Sequence, residues 1–169
     1  MSVVNYDTYI GRYTGTKISD GKRRCDFILT DTDTYNIILL CEVTSSIGGI
    51  ENLSRPIEKT QKDGTRTVVF PKGKYQKVEL QLYQSLETLT EVPSISSYIN
   101  NKKRKVCLMS YLIKRTEDNA VNAFNRNRLM EAEEAGENGA QISCPQIEQF
   151  GFDYYRISHD YSFRISNSK

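Results

Sequence analysis

The stretch that decides the fold runs from Arg24 to Thr44 and reads RCDFILTDTDTYNIILLCEVT. It contains two apolar runs on either side of a cluster of Asp and Thr residues. Such a cluster favours a turn, so the stretch predicts a β-hairpin with strands near 24–30 and 35–44. Because neither apolar run alternates with polar residues, we expect both strands to be buried on most of both faces.

The segments after this hairpin predict an α/β or α+β domain with a central mixed sheet flanked by helices. Apolar residues in segment 73–90 recur every three or four positions, which predicts an amphipathic helix that packs one face on the sheet. These residues are Tyr75, Val78, Leu82, Leu86 and Leu89. Segment 106–113 predicts a third buried strand, and segment 65–70 a short strand within a long connection.

Residues 115–169 predict a C-terminal extension of a core that spans residues 20–114. A polar helix is expected at 117–135, and the tail is expected to form a closing β-hairpin that turns at residues 158–160. The chain has 169 residues, and this length favours one domain over residues 1–169.

Composition narrows the classes of function. Four cysteines without a CxxC pair and a single histidine argue against a zinc site, and cysteines inside apolar runs suit a reducing, cytoplasmic setting. The sequence begins without the pattern of a signal peptide, and its longest apolar run is too short to cross a membrane, so we expect no membrane partner. The sequence does not determine the oligomeric state and is compatible with a homodimer.

Familiar catalytic motifs are missing from the sequence. Gly48 and Gly49 are not followed by the Lys-Ser/Thr pair of a phosphate-binding loop, and no GxSxG motif occurs. The only histidine, His159, lies in the predicted tail turn, which is a poor position for Ser-His or Cys-His chemistry. Apart from the carboxylates described next, the sequence shows no catalytic signature.

Two carboxylates in the predicted hairpin are expected to converge. If the turn centres on Thr34, Asp26 lies opposite Glu42; a shifted turn would make them diagonal neighbours, still close enough to share an ion. Buried carboxylates are costly unless they are paired, hydrogen-bonded or bound to a metal. Hard oxygen ligands of this kind suit Mg²⁺ or Mn²⁺. On the following helix, Lys77 and Gln81 lie one turn apart and could overhang the two acids.

The order of these features resembles that of the PD-(D/E)XK nucleases. The matching features are a strand with Asp26, a turn, a strand with Glu42 in a Glu-x-Lys-like position, a helix with Gln81, and a further strand. The resemblance covers about residues 20–114. It implies a restriction-endonuclease-like fold and an activity that cleaves DNA phosphodiesters. It also implies that Asp26 and Glu42 are metal ligands and that Gln81 orients the site.

The sequence departs from this family at Thr44, where a lysine is expected. That lysine is thought to position the attacking water and to stabilise negative charge, which a threonine cannot do as a cation. Lys77 could replace it from the helix, or the domain could have lost catalysis and kept nucleic-acid or protein binding. Many members of this family carry a further acidic residue near the N-terminus. In this sequence Asp7 and Asp20 are weak candidates for that residue.

Two basic clusters are candidates for contacts with DNA phosphates. They are Lys22, Arg23 and Arg24 before the first strand, and Lys102, Lys103, Arg104 and Lys105 before the third. Together they could form one phosphate-binding rim, although the chain's net charge of +2 neither requires nor excludes a polyanionic partner. A third interpretation, outside this fold, is a structural or interaction protein that uses its long connection and polar helix as contact surfaces.

Overall fold

The computed structural model describes residues 1–6, 24–33, 36–44, 57–60, 64, 66–69, 74–111 and 136–165. The strands in these ranges are β1 (Ser2–Asn5), β2 (Phe27–Asp31), β3 (Ile37–Thr44), β4 (Ile57–Thr60), β5 (Arg66–Val69), β6 (Arg104–Tyr111), β7 (Ala140–Gln141) and β8 (Asp153–Ser158). The helices are α1 (Lys74–Thr90), α2 (Pro93–Asn100) and α3 (Pro145–Glu148), and a 3-10 turn spans Gly136–Asn138.

Six of the strands form one mixed sheet in the order β1-β2-β3-β6-β8-β7. The pairs β1–β2, β2–β3 and β7–β8 are antiparallel, whereas β3–β6 and β6–β8 are parallel. Strands β4 and β5 form a separate two-stranded antiparallel sheet. The mixed sheet confirms the predicted central element and places the domain in the α+β class.

The predicted hairpin is present as β2 and β3. Its register runs from Phe27 opposite Cys41 to Asp31 opposite Ile37. Every residue of β3 except Val43 is buried, because β2 and β6 flank the strand and apolar clusters cover both of its faces. Strand β2 is only partly buried, so the expectation of burial on both faces holds for β3 alone.

Helix α1 carries the predicted apolar stripe. Val78, Leu82 and Leu86 are fully buried and pack in one cluster with residues of β3 and β6, among them Leu40 and Met109. Since β3 and β6 are parallel, α1 and α2 must return the chain from the carboxyl end of β3 to the amino end of β6. Gln81 binds the backbone of Arg24, and Ser85, one turn later, binds that of Cys25, which is one residue nearer β2. Because β2 is antiparallel to β3, the first turns of α1 lie toward the carboxyl end of β3.

Several predicted boundaries differ from the structure. A second helix, α2, which was not predicted, begins at Pro93, because a proline is tolerated in the first helical turn. Strand β5 matches the predicted short strand, and its partner β4 was not predicted. The polar helix expected at 117–135 lies outside the described residues. Within the described ranges, no helix has the length and apolar composition needed to cross a bilayer.

The predicted C-terminal hairpin is not confirmed. Strand β8 is already flanked by β6 and β7, so its two edges are occupied. Residues 161–165 form no strand and instead pass over the sheet face opposite α1. There Phe163 packs on Tyr155, with ring centroids 5.4 Å apart.

Buried cysteines in the described core lead to a first prediction. Burial raises the pKa of Cys25 and of Cys41 to about 12, and the nearby carboxylates of Asp26 and Glu42 add to both shifts. Because the thiolate is the reactive form, iodoacetamide at pH 8 should modify the native protein far more slowly than the urea-unfolded chain. Rapid alkylation of the folded protein at these two residues would contradict this burial.

The same thiols predict a loss of stability at alkaline pH. Between about pH 9 and pH 12 the unfolded chain releases protons that the folded state retains on Cys25 and Cys41. The contribution of these groups to the free energy of unfolding is therefore constant below pH 9 and falls as the pH rises above it. Urea denaturation at pH 8, 9 and 10 measures this fall, and Cys41→Ala should reduce its slope.

Candidate functional site

The centre of the site is Glu42, a carboxylate in the packed middle strand of the sheet. Its side chain is 6% exposed. Alternation along β3 places it on the same face as Leu40 and Thr44, the face that α1 covers. In the parallel register Glu42 lies beside Met109 of β6. A carboxylate in these surroundings needs polar partners, and α1 provides one.

That partner is Gln81 in the first half of α1. Its Nε2 donates a 2.6 Å hydrogen bond to Glu42 Oε1 and a 3.2 Å hydrogen bond to the carbonyl oxygen of Arg24. A single amide group has two N–H donors and can satisfy both acceptors. Gln81 therefore ties the helix to β3 and to the segment that leads into β2, and it holds the Glu42 carboxylate in place.

Asp26 lies directly before β2 and next to the same part of β3. The Phe27–Cys41 rung is the last of the β2–β3 ladder, and Asp26 and Glu42 are the residues just beyond it. Asp26 Oδ2 accepts a 2.8 Å hydrogen bond from the backbone N–H of Val43. Both carboxylates are also close enough to Cys25 and Cys41 to raise the pKa of each thiol. Asp26 and Glu42 therefore lie next to each other, just beyond the end of the β2–β3 ladder.

Ser85 is a residue of this region whose role sequence reasoning missed. Its hydroxyl accepts a 2.8 Å hydrogen bond from the backbone N–H of Cys25 and donates a 2.7 Å bond to the carbonyl oxygen of Gln81. Ser85 is fully buried and fixes the bend before β2. A serine four residues after Gln81, on the same helix face, was the available signal.

Lys77 belongs to the same helical row as Gln81 and Ser85, one turn nearer the start of α1. It is exposed. One turn is about 5.4 Å along the helix, and it leads toward the carboxyl end of β3. There Thr44 is 2% exposed, and among the described residues its Oγ1 has no hydrogen-bond partner. The structure therefore places the exposed lysine of α1 toward the end of β3 that holds the buried threonine.

The carboxylate oxygens at this site are ligands of the type that a hard cation prefers, but the site has few of them. Within the described part of the chain, no group of three or more His, Cys, Asp or Glu side chains has the arrangement of a metal site. Mg²⁺ is usually held by one or two carboxylates, with water and phosphate oxygens as its other ligands. Asp26 and Glu42 fit that minimal pattern.

No family model, curated protein or solved structure gives a significant match. The function proposed below therefore depends on the chain's own residues and on their arrangement.

The described residues of the two basic clusters lie at opposite ends of β3. Arg24 is partly buried at the Glu42 end of the hairpin, whereas Arg104 pairs with Ile37 at the amino end of β3. Ile37 and Glu42 are five positions apart, which is about 16 Å along the strand. Because β3 and β6 are parallel, the second cluster must lie at the opposite end of the sheet. Lys22 and Arg23 lie outside the described residues.

Lys102 of the second cluster has a structural position. It is 5% exposed, and its Nζ donates a 3.3 Å hydrogen bond to the carbonyl oxygen of Asp31. The same ammonium lies 4.3 Å from the centroid of the Tyr98 ring. Lys103 is exposed, and Arg104 and Lys105 are partly buried. A phosphate contact from Lys102 would have to break these interactions.

An ion pair on the other side of α1 was not predicted from the sequence. Arg156 of β8 donates a 2.9 Å hydrogen bond from Nη2 to Glu79 Oε1, and its guanidinium lies 3.8 Å from the centroid of the Tyr75 ring. Burial alone would lower the pKa of Arg156, but Tyr154, Tyr75 and Glu79 outweigh it and raise that pKa. The cluster fastens the start of α1 to β8.

Removing Glu79 should destabilise the fold without touching Glu42. Glu79→Ala leaves the guanidinium of Arg156, 17% exposed, without its carboxylate partner. The expected loss is about 1.5–3 kcal/mol of unfolding free energy, the usual range for a hydrogen bond between charged groups. Urea denaturation measures it, with the exposed Asp33→Ala as a control that should stay within about 0.5 kcal/mol of the parent. Equal stability of the two variants would show that the pair is dispensable.

Proposed function

We propose that this chain is a nuclease-like domain that binds Mg²⁺ or Mn²⁺ through Asp26 and Glu42 and hydrolyses DNA phosphodiesters. The observation that carries the proposal is the buried Glu42 carboxylate, held by Gln81 at 2.6 Å, with Asp26 next to it directly before the neighbouring strand. A charge in a packed strand costs stability unless it is compensated. A buried carboxylate of this kind is a candidate functional group.

The order of the elements is a second support. Asp26 precedes β2, Glu42 lies on β3, Gln81 lies on α1, and β6 follows beside β3. This is the order that the resemblance to PD-(D/E)XK nucleases requires. A restriction-endonuclease-like fold is therefore part of the proposal.

Each residue of the site has a defined part in the proposed chemistry. The ion, when bound, would polarise the scissile phosphate and acidify a bound water. Gln81 fixes the orientation of the Glu42 carboxylate, and the Val43 N–H fixes that of Asp26. Lys77 supplies the positive charge that the neutral Thr44 lacks.

Lys77 provides a direct test of the catalytic part of the proposal. Lys77→Ala should lower Mg²⁺-dependent cleavage of a plasmid substrate by on the order of 10²-fold, the typical effect of removing one group that stabilises transition-state charge. Lys103→Ala removes an exposed lysine at the other end of the sheet and should leave cleavage unchanged. Equal activity of the two variants would show that Lys77 does not supply the positive charge that cleavage needs.

A second candidate function is binding without catalysis. It is favoured by the neutral, buried Thr44 in the position where the resemblance expects a cation. In that case the domain would bind nucleic acid or protein and would cleave nothing. Retention of DNA in a salt-sensitive complex, with no nicking of plasmid in Mg²⁺ or Mn²⁺, is the result that favours this candidate over the enzyme.

A further inference from the structure

Glu42 and Arg156 lie in one row across the parallel part of the sheet. Glu42 of β3 is level with Met109 of β6, and Met109 is level with Arg156 of β8. Residues that are level in parallel strands point to the same face, and here that face is the one under α1. Two strand spacings, or about 10 Å, separate Glu42 from Arg156.

Helix α1 crosses this row and makes a polar contact on each side of it. On one side Gln81 donates a 2.6 Å hydrogen bond to Glu42, and on the other the arginine of the row donates a 2.9 Å hydrogen bond to Glu79. Val78 and Leu82 are fully buried and pack on the sheet between these contacts. Because successive helix residues are rotated by about 100°, Glu79 and Gln81 lie about 80° to either side of this apolar pair.

The apolar contact alone is a poor constraint on the rotation of α1 about its own axis. Hydrophobic burial is non-directional, whereas a hydrogen bond between charged groups has a defined length and angle. Side chains end about 5–6 Å from the axis of a helix, so a rotation of about 10° would move the Gln81 amide by about 1 Å. A displacement of that size away from Glu42 is enough to break their hydrogen bond.

Arg156 has the contacts needed to fix this rotation. Its guanidinium, 17% exposed, lies 3.8 Å from the centroid of the Tyr75 ring, and its Nε donates a 3.3 Å hydrogen bond to the Tyr154 hydroxyl. Replacing both partners of a buried ion pair by apolar side chains of similar size is often neutral for stability or increases it. The intact ion pair with Glu79 therefore contributes direction to the packing of α1 more than it contributes net stability.

We infer that Arg156 is a positioning residue of the Glu42 site, which fixes the rotation of α1 through Glu79 and thereby sets Gln81 against Glu42. Arg156 lies two strands from Glu42 and acts through the helix. Its effect on metal binding rests on the proposed function, whereas its effect on Gln81 does not. A misplacement of about 1 Å at a functional site can lower activity by about 100-fold, so a residue that prevents it matters for the chemistry.

The double variant Glu79→Leu/Arg156→Met tests the inference, because it replaces the ion pair with apolar side chains of similar size. We expect this variant to unfold at a urea concentration no lower than the parent protein does. The NMR signals of the Gln81 side-chain amide, assigned by their absence from Gln81→Ala, should shift toward those of a water-exposed glutamine. The affinity for Mn²⁺, measured by calorimetry, should fall roughly 10-fold, the low end of the effect of losing a partner that orients a metal ligand.

Ile157→Val is the matched control, because Ile157 is the next residue of β8 and lies on the opposite face of the sheet. This change lowers stability by removing a buried methyl group, but it should leave the Gln81 signals and the affinity for Mn²⁺ unchanged. A shift of the Gln81 signals in the double variant and not in the control supports the inference. Unchanged signals in the double variant, or an equal shift in the control, overturn it.

Two further results are decisive. If the double variant does not fold, Glu79→Gln replaces it, because this change keeps the size of the side chain and weakens the ion pair. The Gln81 signals must then shift in the same direction, and unchanged signals overturn the inference. A parent protein that binds no Mn²⁺ contradicts the proposed function, while the Gln81 signals still decide whether Arg156 positions the helix.

Discussion

For the proposed nuclease, we expect Glu42→Gln to lower metal-dependent DNA cleavage by at least about 100-fold. Loss of a partner that merely orients a metal ligand costs roughly 10–100-fold in affinity or activity, and loss of a ligand should cost no less. Glutamine keeps the size of the side chain, and its carbonyl oxygen can still accept the hydrogen bond from Gln81. The substitution therefore changes the charge of the site and leaves its packing intact.

A stability measurement separates this effect from simple unfolding. A ligand at 100 times its Kd stabilises the folded state by about 2.7 kcal/mol, so Mg²⁺ or Mn²⁺ should raise the melting temperature of the parent protein. Glu42→Gln should lose this rise, while its melting temperature without metal stays equal or increases. The exposed Asp33→Asn is the matched control and should keep both the rise and the cleavage. Full cleavage by Glu42→Gln would contradict a role for this carboxylate.

The largest effect on stability is expected from the stripe of α1. Leu82 is fully buried, and its truncation to alanine should cost about 2–5 kcal/mol of unfolding free energy. The loss combines the transfer of the removed methyl groups with the cavity left between α1 and the sheet. Urea denaturation measures it, and the exposed Asp33→Ala should change stability by no more than about 0.5 kcal/mol.

This substitution also tests how the site is positioned. Leu82 directly follows Gln81, so a helix that loses its anchor should also hold Glu42 less firmly. We expect Leu82→Ala to lower the metal-induced stabilisation as well. A variant that loses less than 1 kcal/mol would mean that α1 does not pack on the sheet through this stripe.

The sequence predicted the hairpin and the packed helix because both depend on local patterns. The apolar run of β3 and the spacing of Val78, Leu82 and Leu86 each define one buried surface without help from distant residues. The position of Asp26 beside Glu42 follows in the same way from a short turn. The spacing of α1 predicted that Gln81 could overhang the two acids, but not which oxygen atoms it would bind.

Other features depended on contacts that no local pattern encodes. Strand β6 pairs parallel to β3, so the basic cluster before it lies at the end of the sheet away from Glu42. Residues 161–165 alternate like a strand, yet both edges of β8 are taken by β6 and β7. The contact of Arg156 with Glu79 joins residues 77 positions apart. In each case contacts between distant parts of the chain selected one of several arrangements that the local sequence allows.

Calorimetric titration with Mn²⁺ tests the central claim most directly, because it observes the ion at Asp26 and Glu42 without requiring catalysis. The account predicts saturable binding to the parent protein, binding that is lost in both Asp26→Asn and Glu42→Gln, and binding that is unchanged in Asp33→Asn. Absence of binding to the folded parent protein, or equal binding by all four proteins, would contradict it.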